Sequence, residues 1–201
     1  MGAAITRAQI VEVADRLFYE QGFEATSFAD IAAAVRLSRG NFYYHFRTKD
    51  DLLGAVIALR LANTEAMLDG WEGATPDPVE RIRSFVRILI MNRARIMLYG
   101  CPVGTLCDEL SKLRHVAKDD AAKLFMLFRR WLSLQFAALG READADALAL
   151  HALMRSQGIA TLATAFQDEG FIQREVEDLL AWVEAQRPHQ DRPTSETRPQ
   201  P

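Results

Sequence analysis

Two serines eleven residues apart, Ser27 and Ser38, constrain this chain more than any other feature. A serine hydroxyl accepts from a free amide in the first turn of a helix and so marks where a helix starts. Asp30 follows Ser27 at the spacing of a capping-box-like pair, and both helices must be short. Only Val35, Arg36 and Leu37 separate them, a connection of the length that joins the helices of a helix-turn-helix. In the second helix Phe42 and Phe46 stand four apart, which predicts that they face inward together. Arg39, Tyr43, Tyr44 and His45 are then left to project elsewhere.

Charge assigns that projecting face a partner. The nineteen residues from Ile31 to Lys49 carry Arg36, Arg39, His45, Arg47 and Lys49 and no acid, on a chain whose net charge is -3. A basic stretch on an acidic protein is the footprint of a polyanion-binding surface, because Lys and Arg that neutralise phosphates release counterions. A solvated helix face would also carry such charges; the aromatics interleaved with them favour DNA. Arg39, near the helix N-terminus, is the candidate for reading a guanine edge, and Asn41 one for pairing with adenine. Tyr43 and Tyr44 offer hydroxyls to phosphates, and Gly40 lets the backbone approach the duplex. Lys49, behind a Thr48 cap, is placed to join the next helix's free amides in holding a phosphate.

The run Ser38-Arg39-Gly40-Asn41-Phe42-Tyr43-Tyr44-His45-Phe46, followed by Thr48-Lys49-Asp50-Asp51-Leu52-Leu53, resembles the TetR family of bacterial transcriptional regulators. The resemblance extends back through Ile10, Ala14, Leu17, Phe18 and the Gly22-Phe23 break. It implies that Thr26, Ser38, Arg39, Gly40, Tyr43, Tyr44, His45 and Lys49 occupy DNA-contacting positions, most of them touching phosphates. One departure is Arg36, where the family usually has glycine at a left-handed turn; arginine there costs roughly 1 kcal/mol. Arg36 is expected to compensate by reaching a phosphate, the alternative being tolerated strain with the side chain in water.

Beyond Leu52 no alternating segment competes as a strand, so the fold class is all-α, with about nine helices. A break is expected over Asp69 to Pro78, where glycines and prolines cluster. Asp77-Pro78-Val79-Glu80 then starts a helix with a cap, a first-turn proline and an acid, and Tyr99 to Pro102 ends it. Further helices are expected from Val103 to about Leu113, through Leu124 to Leu132 until Gly140, from an Asp144 cap to Gln167 with Gly170 closing it, and through Val176 to Val183. The expected division is a three-helix helix-turn-helix DNA-binding domain over residues 1–52, a ligand-binding and dimerisation domain over 53–187, and a disordered tail over 188–201.

No apolar run approaches a membrane span and the start lacks a signal-peptide pattern, so a cytoplasmic protein without membrane contact is expected. No catalytic motif is present, and His45, His115, His151 and His189 show no metal-ligand spacing, so neither an enzyme nor a metal or other cofactor is expected. One recognition helix reads too few base pairs to be selective, which predicts a homodimer on a double-stranded inverted-repeat operator. Leu150, Leu153, Met154, Ile159, Ala160, Ala163 and Ala165 are candidates for the interface; an intramolecular core would explain the same pattern. For a small apolar or aromatic effector, Phe85, Met97, Phe128 and Trp131 are the candidate contacts. Gly100-Cys101-Pro102-Val103-Gly104-Thr105-Leu106 resembles a stretch in the branch of the family grouped with efflux and flavonoid-responsive repressors. The expected function is therefore a ligand-responsive transcriptional repressor. Cys101 and Cys107 raise the alternative of a thiol-redox sensor, and a helical small-molecule-binding protein without DNA activity is the other rival.

Overall fold

The computed structural model describes residues 7–187, so the expected tail over 188–201 lies outside the described residues. Ten helices and no strand are present among those residues. The N-terminal caps form as their sequences require. Helix α1 (Arg7–Gln21) buries Ile10, Ala14, Leu17 and Phe18 at helical spacing, and Gly22, at φ 94°, turns the chain. In α2 (Phe28–Ala34) the Ser27 hydroxyl accepts from the Asp30 amide at 3.2 Å while the Asp30 carboxylate accepts from the Ser27 amide at 2.8 Å. The Ser27 hydroxyl and amide hold the Asp30 carboxyl below its ordinary range. Ser38 caps α3 (Arg39–His45), and Thr48 with Asp51 forms a second full capping box at α4 (Lys49–Ala74).

Helix α4 is longer than its glycines suggest. It runs through Gly70 and Gly73, where exposed glycine costs a helix only about 1 kcal/mol each, and stops at Thr75. Thr75 precedes Pro76 and is forced into an extended conformation, so the proline and not the glycines sets the break. Asp77 then caps α5 (Pro78–Met91), its Oδ1 accepting from the Val79 amide at 2.9 Å. The single helix expected up to Tyr99 divides at Asn92, whose side-chain amide donates to the Ile88 carbonyl, and continues as α6 (Arg93–Tyr99). Helices α7 (Pro102–Lys112) and α8 (Lys118–Ala138) follow, the latter stopped by Gly140 at φ 81°.

Two expected punctuation marks act differently. Asp144 makes no side-chain cap for α9 (Ala145–Phe166); its carboxylate is taken by Arg141. Gly170 does not close α9 but lies within α10 (Glu169–Glu184). The closing left-handed residue is Gln167 at φ 53°, anchored by side-chain hydrogen bonds to the carbonyls of Met97 and Thr164.

The buried side chains form two cores. One gathers α1 to α3 and the first two turns of α4, Leu52, Leu53, Val56 and Ile57, and also takes Leu106 and Leu110 from α7 and Ala121 from α8. The other fills the space between α5, α8, α9 and α10. Helices α4 and α8 therefore contribute to both cores while α7 packs in the head core, a placement that matters for any signal between the two halves.

Candidate DNA-reading surface and interior cavity

Helix α3 is held by its inward aromatics. Phe42 and Phe46 are 1% and 2% exposed, and Phe28 of α2 packs on Phe42 with ring centroids 4.9 Å apart. On the outer side Tyr44 is 86% exposed and Tyr43 53%, with Tyr43 edge-on to Phe28 at 5.6 Å. His45 stands edge-on to Tyr44 at 5.3 Å, and Ser38, Asn41 and Arg47 are exposed around them. Arg39 opens the helix and is described by its backbone alone. A Cβ on Gly40 would meet no atom within 4 Å, so the fold itself has no need of glycine there. The surface thus brings together two phenols and His45 on a helix seated by its buried aromatics, with Arg47 just beyond its end, an arrangement able to donate several hydrogen bonds to a phosphate backbone.

Three positions refine the expected set. Thr26 is fully buried, and its hydroxyl donates to the Gly22 carbonyl at 2.7 Å, so its side chain braces the turn after α1 and does not reach the surface. Lys49 is half-buried; its ammonium donates to the Glu24 carbonyl at 3.0 Å and lies 4.4 Å from the Phe23 ring centroid. With three donors on an ammonium, two remain for a phosphate. Arg7 was not anticipated: its guanidinium sits 4.5 Å from the centroid of Phe46 at the end of α3, adding a cation beside the reading surface through a contact no local pattern signals.

Arg36 adopts the left-handed conformation expected of its turn, at φ 57°, and is exposed. Arg36→Gly is expected to raise stability by about 1 kcal/mol in chemical denaturation. It should also flatten the salt dependence of DNA binding by about one counterion. An unchanged salt slope would reduce Arg36 to strain without a contact.

Behind the reading surface lies a cavity of about 400 Å³, within the range of small-molecule sites. Phe85 and Phe128 line it as expected, their rings 5.6 Å apart. Met97 and Trp131 do not: Met97 packs on the body core, and Trp131 is buried against Trp71 with ring centroids 5.5 Å apart. What sequence reasoning missed is the polar wall. Arg60 of α4, 9% exposed, donates from Nε to Asp15 Oδ1 at 2.5 Å and from Nη1 to the Pro102 carbonyl at 2.6 Å, joining α4, α1 and α7 at one point. Tyr19 of α1 donates to the Gly100 carbonyl at 2.8 Å, and burial pushes its phenol up to about 12, so it stays a neutral donor. The segment Gly100 to Leu106 is the α6–α7 turn together with the start of α7: Gly100 has φ 78°, and a Cβ there would come within 2.8 Å of Thr105.

Helix α7 carries a second link to the head. Glu109 accepts from the amides of Phe23 and Glu24, each at 2.9 Å, closing the otherwise free backbone of the α1–α2 loop. The two cysteines pack on different cores, Cys101 on the body core and Cys107 on the head core. Burial pushes the Cys107 thiol up to about 11, which leaves it protonated and unreactive at neutral pH.

The family model for bacterial regulatory proteins of the tetR family matches residues 10–56, from α1 into the head-packed part of α4. The chain is 28% identical to an HTH-type transcriptional regulator encoded in the lacX 3' region of Lactococcus lactis, over 81% of this chain and 85% of that protein. It is 27% identical to the HTH-type transcriptional repressor DhaR of a Mycobacterium species, over 66% of this chain and 64% of that one. Among solved structures, a TetR transcriptional regulator from Legionella pneumophila superposes with a TM-score of 0.77 at 26% identity, covering 92% of this chain and 98% of its own. With the capped reading helix, the all-helical architecture and these likenesses in agreement, the chain carries a head matched by the tetR-family model over residues 10–56 and resembles TetR-family bacterial transcriptional regulators along most of its length.

Proposed function

We propose that this protein is a ligand-responsive transcriptional repressor that binds an inverted-repeat operator as a cytoplasmic homodimer and is released by a small apolar or aromatic molecule. The observation that carries the reading is α3: Tyr43 and Tyr44 stand exposed among basic residues on a helix pinned by fully buried Phe42 and Phe46. Residues 1–52 would bind DNA and residues 53–187 would bind ligand and dimerise. Among the described residues no helix is long and apolar enough to cross a membrane.

A dimer face is supported by α9. Leu150, Met154, Leu162 and Phe166 repeat at four-residue or doubled spacing and are between 43% and 61% exposed. Gly158 sits within that stripe with open space where a Cβ would be, room for a partner helix. Leu153, Ile159, Ala160 and Ala163 belong instead to the protomer's own core. The cavity supports a sensing role because α4 lines it with Arg60, Asn63 and Met67 while its first turns pack in the head. A ligand that favours one position of α4 shifts the spacing of the two reading heads, and only by as much as its affinities for the two states differ.

The test is selection of genomic fragments by the intact protein at about 150 mM salt, where non-specific binding is weak. Enrichment of one inverted repeat is expected. Met154→Arg should leave a monomer in sedimentation and weaken that operator by about a hundredfold, as two linked half-sites become one. Enrichment of no common sequence would sink the proposal.

A further inference from the structure

The charges around the cavity are unequal, and their arrangement bears on what it accepts. Among the described residues four fully charged side chains line it: Asp15, Arg16, Arg60 and Arg95. In the interior Arg60 and Asp15 neutralise one another through the 2.5 Å hydrogen bond, and the Pro102 carbonyl takes a further guanidinium donor. The deep part therefore holds no unmatched charge and is closed by Phe85, Phe125, Phe128, Leu89 and Leu124. Arg16 and Arg95 differ from Arg60 in being about half exposed, at 49% and 52%, which places them at the opening. Both rest on one carboxylate, Glu20, at 3.3 Å and 3.4 Å. Two guanidiniums on a single carboxylate leave one positive charge in excess. Each also keeps most of its five N–H donors, in the fork geometry that matches a carboxylate.

We propose that the effector is an amphipathic acid, an aromatic or alkyl body that enters the cavity with one carboxylate held between Arg16 and Arg95 at its mouth. The assignment rests on the ligand-responsive reading and gives that ligand a chemical class and an orientation. The apolar body displaces water from the phenylalanine-lined interior, while the carboxylate stays where solvent still reaches it and its desolvation cost is small. A cation of the same shape meets two guanidiniums at the mouth and finds both nearby carboxylates already engaged. Arg95 is kept in place independently of any ligand, its guanidinium 4.9 Å from the Tyr19 ring centroid.

The test compares 4-phenylbutyrate with 4-phenylbutylamine, which share a body and differ in the sign of the head, by titration calorimetry on the intact wild-type protein. The acid is expected to bind about tenfold more tightly than the amine, from one attractive and one repulsive partly exposed contact. In the double variant Arg16→Gln, Arg95→Gln the preference should fall below about threefold; its fold is checked by thermal melting. Equal affinities, a preference for the amine, or no binding of the acid at millimolar concentration overturns the assignment. Release of operator DNA is read separately by mobility shift. Preferential binding of the acid without release sustains the charge class and sinks the ligand-responsive reading.

Discussion

Phe42→Ala is expected to lower the free energy of unfolding by about 3 to 5 kcal/mol and to abolish operator binding, although Phe42 itself never faces DNA. The ring is 1% exposed and lies against Phe28, at the point where α2 and α3 meet. Helices of seven residues have too few internal hydrogen bonds to persist in water, so packing alone keeps them formed. Removing the ring opens a void in the smaller of the two cores, which cannot collapse without tilting α3. Denaturant unfolding and a mobility-shift titration read the two effects. Tyr44→Ala is the contrast: at 86% exposure it should change stability by less than about 0.5 kcal/mol while still weakening DNA binding. Retention of operator affinity by the Phe42 variant would show that α3 is seated by something other than its aromatics.

What could be read from the sequence and what could not divide along a physical line. Ser27, Ser38, Thr48 and Asp77 work within a few residues of themselves, so their caps were legible and form as expected. The left-handed Arg36 was expected from the family resemblance, which puts glycine at that turn, and the backbone takes that conformation at φ 57°. Asp144 failed as a cap because Arg141, three residues away, competes for the same carboxylate. Gly170 failed as a stop because Gln167 is held left-handed by the distant Met97 carbonyl, which makes glycine unnecessary. In the site, Phe42, Phe46, Tyr43 and Tyr44 sort by helical periodicity alone. Thr26 was misplaced because its hydroxyl partner, the Gly22 carbonyl, becomes available only once the chain reverses there. Arg60, Tyr19 and Glu109 were invisible for a stronger reason. Their partners lie 45, 81 and 86 residues away for Asp15, Gly100 and Phe23, and a charged or phenolic residue on a helix otherwise reads as surface.

These distant contacts meet on α7. Its N-terminus is tied to α4 by Arg60, the preceding turn is tied to α1 by Tyr19, and Glu109 further along grips the loop after α1. A molecule filling the cavity touches the first two of these contacts directly. Any movement of α7 that results is delivered by an eleven-residue helix to the loop that positions α2.

Arg60 is the member of that junction whose loss should be felt most. Arg60→Leu is expected to cost about 3 kcal/mol, the low end for removing one partner of a buried pair, because Asp15 remains a third exposed and regains some hydration. The penalty is the stranded Asp15 charge and the unmatched Pro102 carbonyl, more than the lost attraction itself. Adding Asp15→Asn removes the stranded charge, so the double variant should recover more than half of the loss in denaturant unfolding. The operator response is the second readout: with α4 and α1 no longer clamped to the start of α7, ligand binding should persist while its effect on operator affinity shrinks. A single variant as stable as the wild type, or a double variant no better than the single, would show that the pair is not what joins the three helices. Full coupling in an otherwise destabilised Arg60 variant would move the signal to the remaining links, Tyr19 and Glu109.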